Sequence, residues 1–427
     1  MTTLTPVDRK TGLSNQSEAL NDGARRAHAT DLLKRTVEMC WESSEFYRGK
    51  LEQAGLKPDD ITGIDDLTRI PVTLKKEAMT ARAGLGTFPL EQAKRIFVSP
   101  GPHFYASQRR DDPPPVRGQT PLAYAFHAMG FRENDIVLNT FSYHLTPGGF
   151  GLEDQLIAMG CAVVPAGPQN TEVQVEILAK LPVTGYVGTP TFLKLLADKA
   201  VETGVDPAKD WSLEVAFVTA EKLPEQLRAE LEERTGAMVR QIYGSADGLY
   251  PAYECWASTG MHLHPDQIIE VLDPGTREPV PMGEPGEVVA TLPNANRPLL
   301  RFANADLVVL RDDPCPCGRT GARIARVAGR VDESTKVRGM FLYPDQIAEV
   351  IGRHPEIARW QAVVSKNAKG TDDLVVNVET EAGTEGLLDK IAAELKDHVR
   401  LRADVVAVDK GTIPEGAKRI DDRRSYV

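Results

Sequence analysis

Asp135-Ile-Val-Leu-Asn-Thr140 opens the stretch on which the fold turns, because two more short apolar runs follow it, Ala162-Val-Val-Pro165 and Val215-Ala-Phe-Val-Thr219. Helical patterns interleave with these runs, among them Asn170 to Ala179 and, upstream, Asp31 to Met39. Helices between short apolar strands predict a layered α/β unit with mainly parallel pairing. Its ligand is expected beyond the carboxyl ends of those strands.

Outward from that stretch the texture changes twice. From about Glu270 it becomes strands and turns: Ile268-Ile-Glu-Val-Leu272, then the turn-rich Asp273-Pro-Gly-Thr-Arg-Glu-Pro279, then Gly286-Glu-Val-Val-Ala-Thr291. This reads as a β-meander or small barrel over about residues 262–328, packed on the first unit. After Arg330, Pro344 to Gly352 reads as a helix, and Trp360 to Ser365 and Leu374 to Glu379 as strands. Leu387, Leu388, Ile391, Leu395 and Val399 then recur at helical spacing before a last strand, Val405 to Val408. The expected organisation is α/β: a large multi-subdomain unit over 1–331 and a small α+β domain over 332–427.

Charge narrows the function. The 427 residues carry 61 acidic against 50 basic side chains, a net charge of -11, without a dense Lys/Arg run. That excludes nucleic acid and anionic membrane as expected partners. No apolar stretch reaches the roughly 18–20 residues of a membrane span, and the N-terminal segment lacks the apolar core of a signal peptide, so the expected location is cytoplasmic. Five cysteines are too few for a disulfide scaffold.

Four segments carry chemistry: Tyr243-Gly-Ser-Ala-Asp247, Pro298-Leu-Leu-Arg-Phe-Ala-Asn-Ala-Asp306, Gly329-Arg-Val-Asp-Glu-Ser-Thr-Lys-Val-Arg-Gly339 and Gly411-Thr-Ile-Pro-Glu-Gly-Ala-Lys-Arg419. In this order and spacing, together with Phe46-Tyr-Arg-Gly-Lys50 through Ile70-Pro-Val-Thr-Leu-Lys75, they resemble the adenylate-forming superfamily and its phenylacetate-CoA ligase branch. The resemblance implies an acyl-CoA synthetase using ATP, Mg²⁺ and coenzyme A. A bulky cyclic or aromatic carboxylate attacks the α-phosphate to give an acyl-AMP and pyrophosphate, and a thiol then displaces AMP.

The residues carry over one by one. Tyr243 stacks adenine, with Gly244, Ser245, Glu221 and Ser99 as further nucleotide contacts, and Asp247 holds Mg²⁺, although the family usually has Glu there. Asp306 accepts hydrogen bonds from the ribose hydroxyls, the alternative being a turn cap before Leu307-Val-Val-Leu310. Arg330 meets the nucleotide and Asp332 is the hinge about which the small domain swings, which makes that domain mobile. Lys336, Arg338 and Gly339 meet coenzyme A, and Lys418 is the cation at the α-phosphate. Tyr143, His144 and Gly149 line the acid pocket, near Gly188-Thr-Pro190 and Thr219-Ala-Glu221. A homodimer is compatible with the sequence.

Phe97-Val-Ser-Pro-Gly-Pro-His-Phe-Tyr-Ala-Ser107 departs from the resemblance. The family's phosphate loop is rich in Ser, Thr and Gly, whereas here prolines remove N–H donors and leave Ser99, Gly101 and His103. Two alternatives stay open: an enzyme that passes its adenylate to an amine or carrier protein, and a binding homologue that no longer uses ATP. Lys418 also stands one residue off the branch's usual Gly-Lys.

Cys255 and His262, with Cys315 and Cys317 in Asp313-Pro-Cys-Pro-Cys-Gly318, form the ligand set of a closed structural zinc site. Several members of the branch carry a similar Cys-Pro-Cys-Gly segment. A redox dithiol and plain buried thiols are the alternatives. Cys40 and Cys161 are expected in the core.

Overall fold

The computed structural model describes residues 8–424 apart from 11, 81–84, 100–102, 114–119, 245–248, 332–334, 339, 343, 368–369 and 381–385. The chain divides into two compact units, Met1–Gly329 and Arg330–Val427.

In chain order the strands are β1 (Thr73–Leu74), β2 (Ile96–Ser99), β3 (His103–Ala106), β4 (Ile136–Asn139), β5 (Ala162–Pro165), β6 (Gly185–Gly188) and β7 (Val215–Val218). Then come β8 (Met238–Tyr243), β9 (Ala252–Glu254), β10 (Met261–Leu263), β11 (Ile268–Leu272), β12 (Pro285–Leu292), β13 (Leu299–Arg311) and β14 (Arg323–Arg330). The remainder are β15 (Thr335–Val337), β16 (Met340–Leu342), β17 (Ile357–Lys366), β18 (Asp372–Thr380), β19 (Asp404–Val408) and β20 (Ile420–Asp422).

One sheet organises the large unit, in the order β11-β12-β13-β14-β10-β9-β8-β7-β6-β4-β5 with β1 paired to β13. From β5 to β8 every pairing is parallel, as the short apolar runs between helical patterns predicted. Alternate residues of these strands enter different cores: Val137, Val187, Val215 and Phe217 meet Phe126 and Leu152, whereas Leu138, Tyr186, Ala216 and Val218 meet Leu193, Leu196 and Leu231. Burial on both faces explains why the runs are continuously apolar rather than alternating. Truncating Phe217 to Ala would cost about 3–5 kcal/mol.

The expected meander is present but does not stand apart. β8 turns into β9 by antiparallel pairing, Ile242 opposite Tyr253, so the β-rich strands continue the parallel sheet. A third core joins the helix Asp22–Ser43, through Leu32, Leu33 and Val37, to Ala290, Leu299 and Phe302 of β12 and β13. Cys40 belongs to that core and Cys161 to the one around Phe217.

The smaller unit holds a mixed sheet, β19-β18-β17-β20, and a separate β15–β16 hairpin. Its core gathers Ile347, Val350, Trp360, Val376, Ile391 and Leu395 from the sheet and the helices Pro344–Ile351 and Leu387–Val399. The leucine and valine spacing that predicted the second helix is the face it buries. No described helix is long and apolar enough to cross a membrane.

Candidate nucleotide site and cysteine–histidine cluster

Asn139, Gly188, Val218 and Tyr243 end β4, β6, β7 and β8, so the segments that follow leave the same edge of the parallel sheet. Hydrogen bonds tie them together. The Thr219 N–H donates to the Gly188 carbonyl at 3.1 Å, and Thr219 Oγ1 donates to the Ile242 carbonyl at 3.2 Å. Thr189 caps the helix Pro190–Glu202 by accepting the Phe192 N–H at 3.2 Å, with Pro190 as its first residue. Gly188 has no substitute: a Cβ there would stand 2.1 Å from both Thr140 Oγ1 and the Tyr186 hydroxyl. Ala220 takes a left-handed φ of 71°, and Glu221 beyond it accepts the Thr191 hydroxyl at 2.6 Å.

Of the three residues expected to line the acid pocket, Tyr143 is the most firmly held. Its hydroxyl accepts from Asn139 Nδ2 at 2.9 Å and its ring meets Phe150 edge-on with centroids 5.1 Å apart. Burial, with Glu153 beside it, pushes the phenol well above its ordinary range, so it stays neutral. Gly149 permits this packing, since a Cβ would come 2.7 Å from the Ser142 carbonyl oxygen and 2.9 Å from the Tyr143 ring. His144 is exposed. Asn139, fully buried, also donates to the Gly149 carbonyl at 3.0 Å and was not singled out from sequence.

Tyr243 and Asp306 come together. The Tyr243 hydroxyl donates to Asp306 Oδ2 at 2.8 Å although β9, β10 and β14 lie between their strands. The sheet therefore curls enough for its inner face to close on itself, around Val271, Val288, Val308 and Ile324. Asp306 does not cap a turn; it sits inside the continuous strand β13, which corrects that alternative. The strand is locally irregular, with Arg301 at φ 44° and Ala305 at φ 65°. Left-handed non-glycine residues cost about 1–2 kcal/mol each and persist only where the surroundings impose them. Here Glu270 takes Arg301 bidentately at 2.9 and 2.7 Å, while Glu287 accepts the Ala305 N–H at 3.1 Å and pairs with Arg277.

The expected phosphate loop forms the antiparallel β2–β3 hairpin, in which Ser99 is the partner of His103, and Gly101 lies outside the described residues. The Val98 N–H donates to the Leu145 carbonyl at 2.9 Å, which seats the hairpin on the Tyr143 segment. Gly244 follows β8; Ser245 and Asp247 lie outside the described residues, as do Asp332 and Gly339. Arg330 ends β14 and Lys336 lies in β15.

Within the small unit, Arg338 has a φ of 50° and is tied to β18 and its neighbour, its N–H donating to Asp372 Oδ2 at 2.9 Å and its guanidinium to the carbonyls of Asp372 and Arg402. Lys418 is exposed, and its carbonyl accepts from Gln361 Nε2 at 2.9 Å. The next residue, Arg419, lies over the Trp360 ring at 5.1 Å.

Cys255, His262, Cys315 and Cys317 converge, with donor atoms all within 4.8 Å of one another. The β9–β10 pairing sets His262 opposite Tyr253, two residues before Cys255, and the turn between β13 and β14 delivers the others. Cys255 and Cys315 sulfurs are 3.7 Å apart, and Cys317 Sγ is 3.4 Å from His262 Nε2. The Cys255 hydrogen bond first, and His262 after it, hold the Cys317 thiol far below its usual range.

Behind the cluster lies a buried carboxylate that sequence reading did not find. Glu18 accepts from Arg319 Nε at 2.5 Å, from the Tyr253 hydroxyl at 2.9 Å and from the Ser14 N–H at 2.7 Å, and the pair with Arg319 is almost wholly buried. Removing either partner of such a pair costs about 3–5 kcal/mol. No local pattern signals it, since the two residues lie 301 positions apart.

The AMP-binding enzyme family matches residues 120–297, and the AMP-binding enzyme C-terminal domain matches residues 339–424. The chain is 32% identical to the phenylacetate-coenzyme A ligase of Thermus thermophilus, over 92% of this chain and 95% of that one. It is 29% identical to the phenylacetate-coenzyme A ligase of Aromatoleum evansii, over 93% and 94%. Among solved structures, 2-hydroxyisobutyryl-CoA ligase in complex with 2-HIB-AMP and CoA shares the fold, with a TM-score of 0.87 at 23% identity over 100% of this chain and 95% of that one. With a third of its residues shared along nearly the whole length, the chain belongs to the adenylate-forming AMP-binding enzymes, in their phenylacetate-CoA ligase branch.

Proposed function

We propose that this protein is an AMP-forming ligase that joins an aromatic or other bulky cyclic carboxylic acid to coenzyme A at the expense of ATP. The observation that carries the reading is the meeting of Tyr243 and Asp306, an aromatic ring and a carboxylate joined at 2.8 Å at the carboxyl-end edge of the parallel strands. A nucleoside needs that pair: a flat apolar face for the base and an ionised acceptor for the ribose hydroxyls.

In the first half-reaction the substrate carboxylate attacks the α-phosphorus, and the bond to the β-phosphate breaks to release pyrophosphate. Tyr243 and Asp306 hold the nucleoside, with Gly244, Ser245, Glu221 and Ser99 around the phosphates and base. Arg330 and Lys418 offset the negative charge that gathers on the phosphoryl oxygens. Asp247 would hold Mg²⁺, which would supply charge neutralisation at the polyphosphate. In the second half-reaction the coenzyme A sulfur attacks the acyl carbon and AMP leaves. Asp332 is the hinge between the two steps, and Lys336, Arg338 and Gly339 meet coenzyme A. Tyr143, kept neutral, Gly149 and His144 border the acid.

The cysteine–histidine cluster suits a structural zinc ion. Tetrahedral bonds of about 2.3 Å to sulfur place two sulfurs about 3.8 Å apart, and Cys255 and Cys315 stand at 3.7 Å. Three thiols and one imidazole leave no open position for catalysis.

The experiment is a panel of carboxylic acids read by pyrophosphate release, with coenzyme A, hydroxylamine and carrier protein as acceptors in parallel. Release that depends on an aromatic acid and yields thioester only with coenzyme A is the expected result. Failure of ATP·Mg²⁺ to bind at millimolar concentration would overturn the proposal.

A further inference from the structure

Asn304 is 3% exposed in the middle of β13 and has no role in the reaction as assigned above. A buried amide is costly unless its donors and acceptor are bonded. This one is bonded to both groups given to the nucleoside. Its Nδ2 donates to the Tyr243 hydroxyl at 2.6 Å and to Asp306 Oδ2 at 3.2 Å, and its Oδ1 accepts the Asp306 backbone N–H at 3.0 Å. Residues two apart on a regular strand share a face without fixing one another's rotamers. Here the strand is not regular: pairing with β12 shifts register between Glu287 and Val289, and Ala305, between Asn304 and Asp306, is left-handed. That kink allows the Asn304 side chain to close on the backbone of Asp306 while reaching the tyrosine of a distant strand. Glu270 and Glu287 hold it from either side through Arg301 and the Ala305 N–H.

We infer that Asn304 is a positioning residue for nucleoside recognition: it sets the Asp306 carboxylate and the Tyr243 ring against each other, so discrimination at the ribose depends on it. The inference rests on the nucleotide reading above. It assigns no new contact with substrate; Asn304 acts through the two residues that touch it.

Calorimetry with ATP·Mg²⁺ and 2′-deoxy-ATP·Mg²⁺ on the full chain tests it without knowledge of the acid. Wild type is expected to prefer ATP by about tenfold or more, the worth of one hydrogen bond to a charged group. Asn304→Ala should weaken ATP about tenfold, change 2′-deoxy-ATP less than about threefold, and so lose the preference. Asn304→Thr, which keeps one donor at similar volume, should fall between; it also carries the test should the alanine variant not fold. Equal weakening toward both nucleotides, or an undiminished preference in either variant, overturns the inference. Absence of ATP binding to the wild type brings down the nucleotide reading itself, a different outcome from ATP bound with its preference intact.

Discussion

Asp306 and Lys418 serve the same nucleotide in the proposed reaction, yet the chain prepares them in opposite ways. Asp306 is met by Tyr243 and Asn304 and fixed in a strand whose irregularity buried glutamates impose. Lys418 is exposed just before β20, and among the described residues no group holds its ammonium, while Arg419 beside it lies over Trp360. The first arrangement is organised before ligand arrives and favours binding. The second gains little until negative charge gathers nearby, and so favours the transition state over the ground state.

Substitutions can break that contrast. Lys418→Ala should lower adenylation, followed by pyrophosphate release, about 10²–10³-fold. Thioester formation from supplied acyl-AMP should change less than about threefold, and equal loss in both half-reactions would remove the role. Asp306→Ala should weaken ATP·Mg²⁺ about tenfold to hundredfold in calorimetry. If its main effect were instead on the rate at saturating ATP, the two residues would not differ as argued.

Smaller effects sharpen the picture away from the nucleotide. Cys315→Ser should abolish stoichiometric zinc in metal analysis and lower the melting temperature by about 5–10 °C. A chelator should lower the melting temperature of wild type only; metal-free wild-type protein of unchanged stability would leave the thiols as packing. The smallest effect is on pH dependence. Burial, helped by Arg132 and Arg319, pushes His127 down from 6.5 to about 4. A folded value below the unfolded one means that the unfolded chain takes up the proton first. Stability from this group is complete above pH 6.5, falls as pH drops from 6.5 towards 4, and levels off below. Plotted against pH, the urea midpoint should slope less for His127→Asn across that window; identical slopes would assign the acid sensitivity elsewhere.

Local pattern disclosed the elements that local forces decide. β4 and β7 were readable because burial on both faces makes them continuously apolar, β5, half-exposed at the sheet edge, through its valines, and the helix Leu387–Val399 because one face is buried. β9 and β10 have three residues each, too few for any period, so their merging of the meander into the parallel sheet was not legible. Among site residues, Tyr243 and Asp306 stood out through ordered motifs. Asn304 lay within one of those motifs without a visible role, because its partner Tyr243 is brought to it only by the curl of the sheet. Gly188 was quoted for its neighbourhood; the Thr140 and Tyr186 oxygens that forbid a side chain there are a matter of packing.

The Glu18–Arg319 pair also orders events in time. Its partners are 301 residues apart, and the helix just after Glu18 packs on β12 and β13. The ion pair and the part of the core that β12 and β13 supply therefore cannot form until most of the chain exists, a wait of about 15–60 s at ordinary rates of synthesis. Through that interval Leu32, Leu33 and Val37 have only the early part of their cover, from Tyr47, Leu51 and Leu67, and the apolar surface that awaits Ala290, Leu299 and Phe302 stays open to a chaperone.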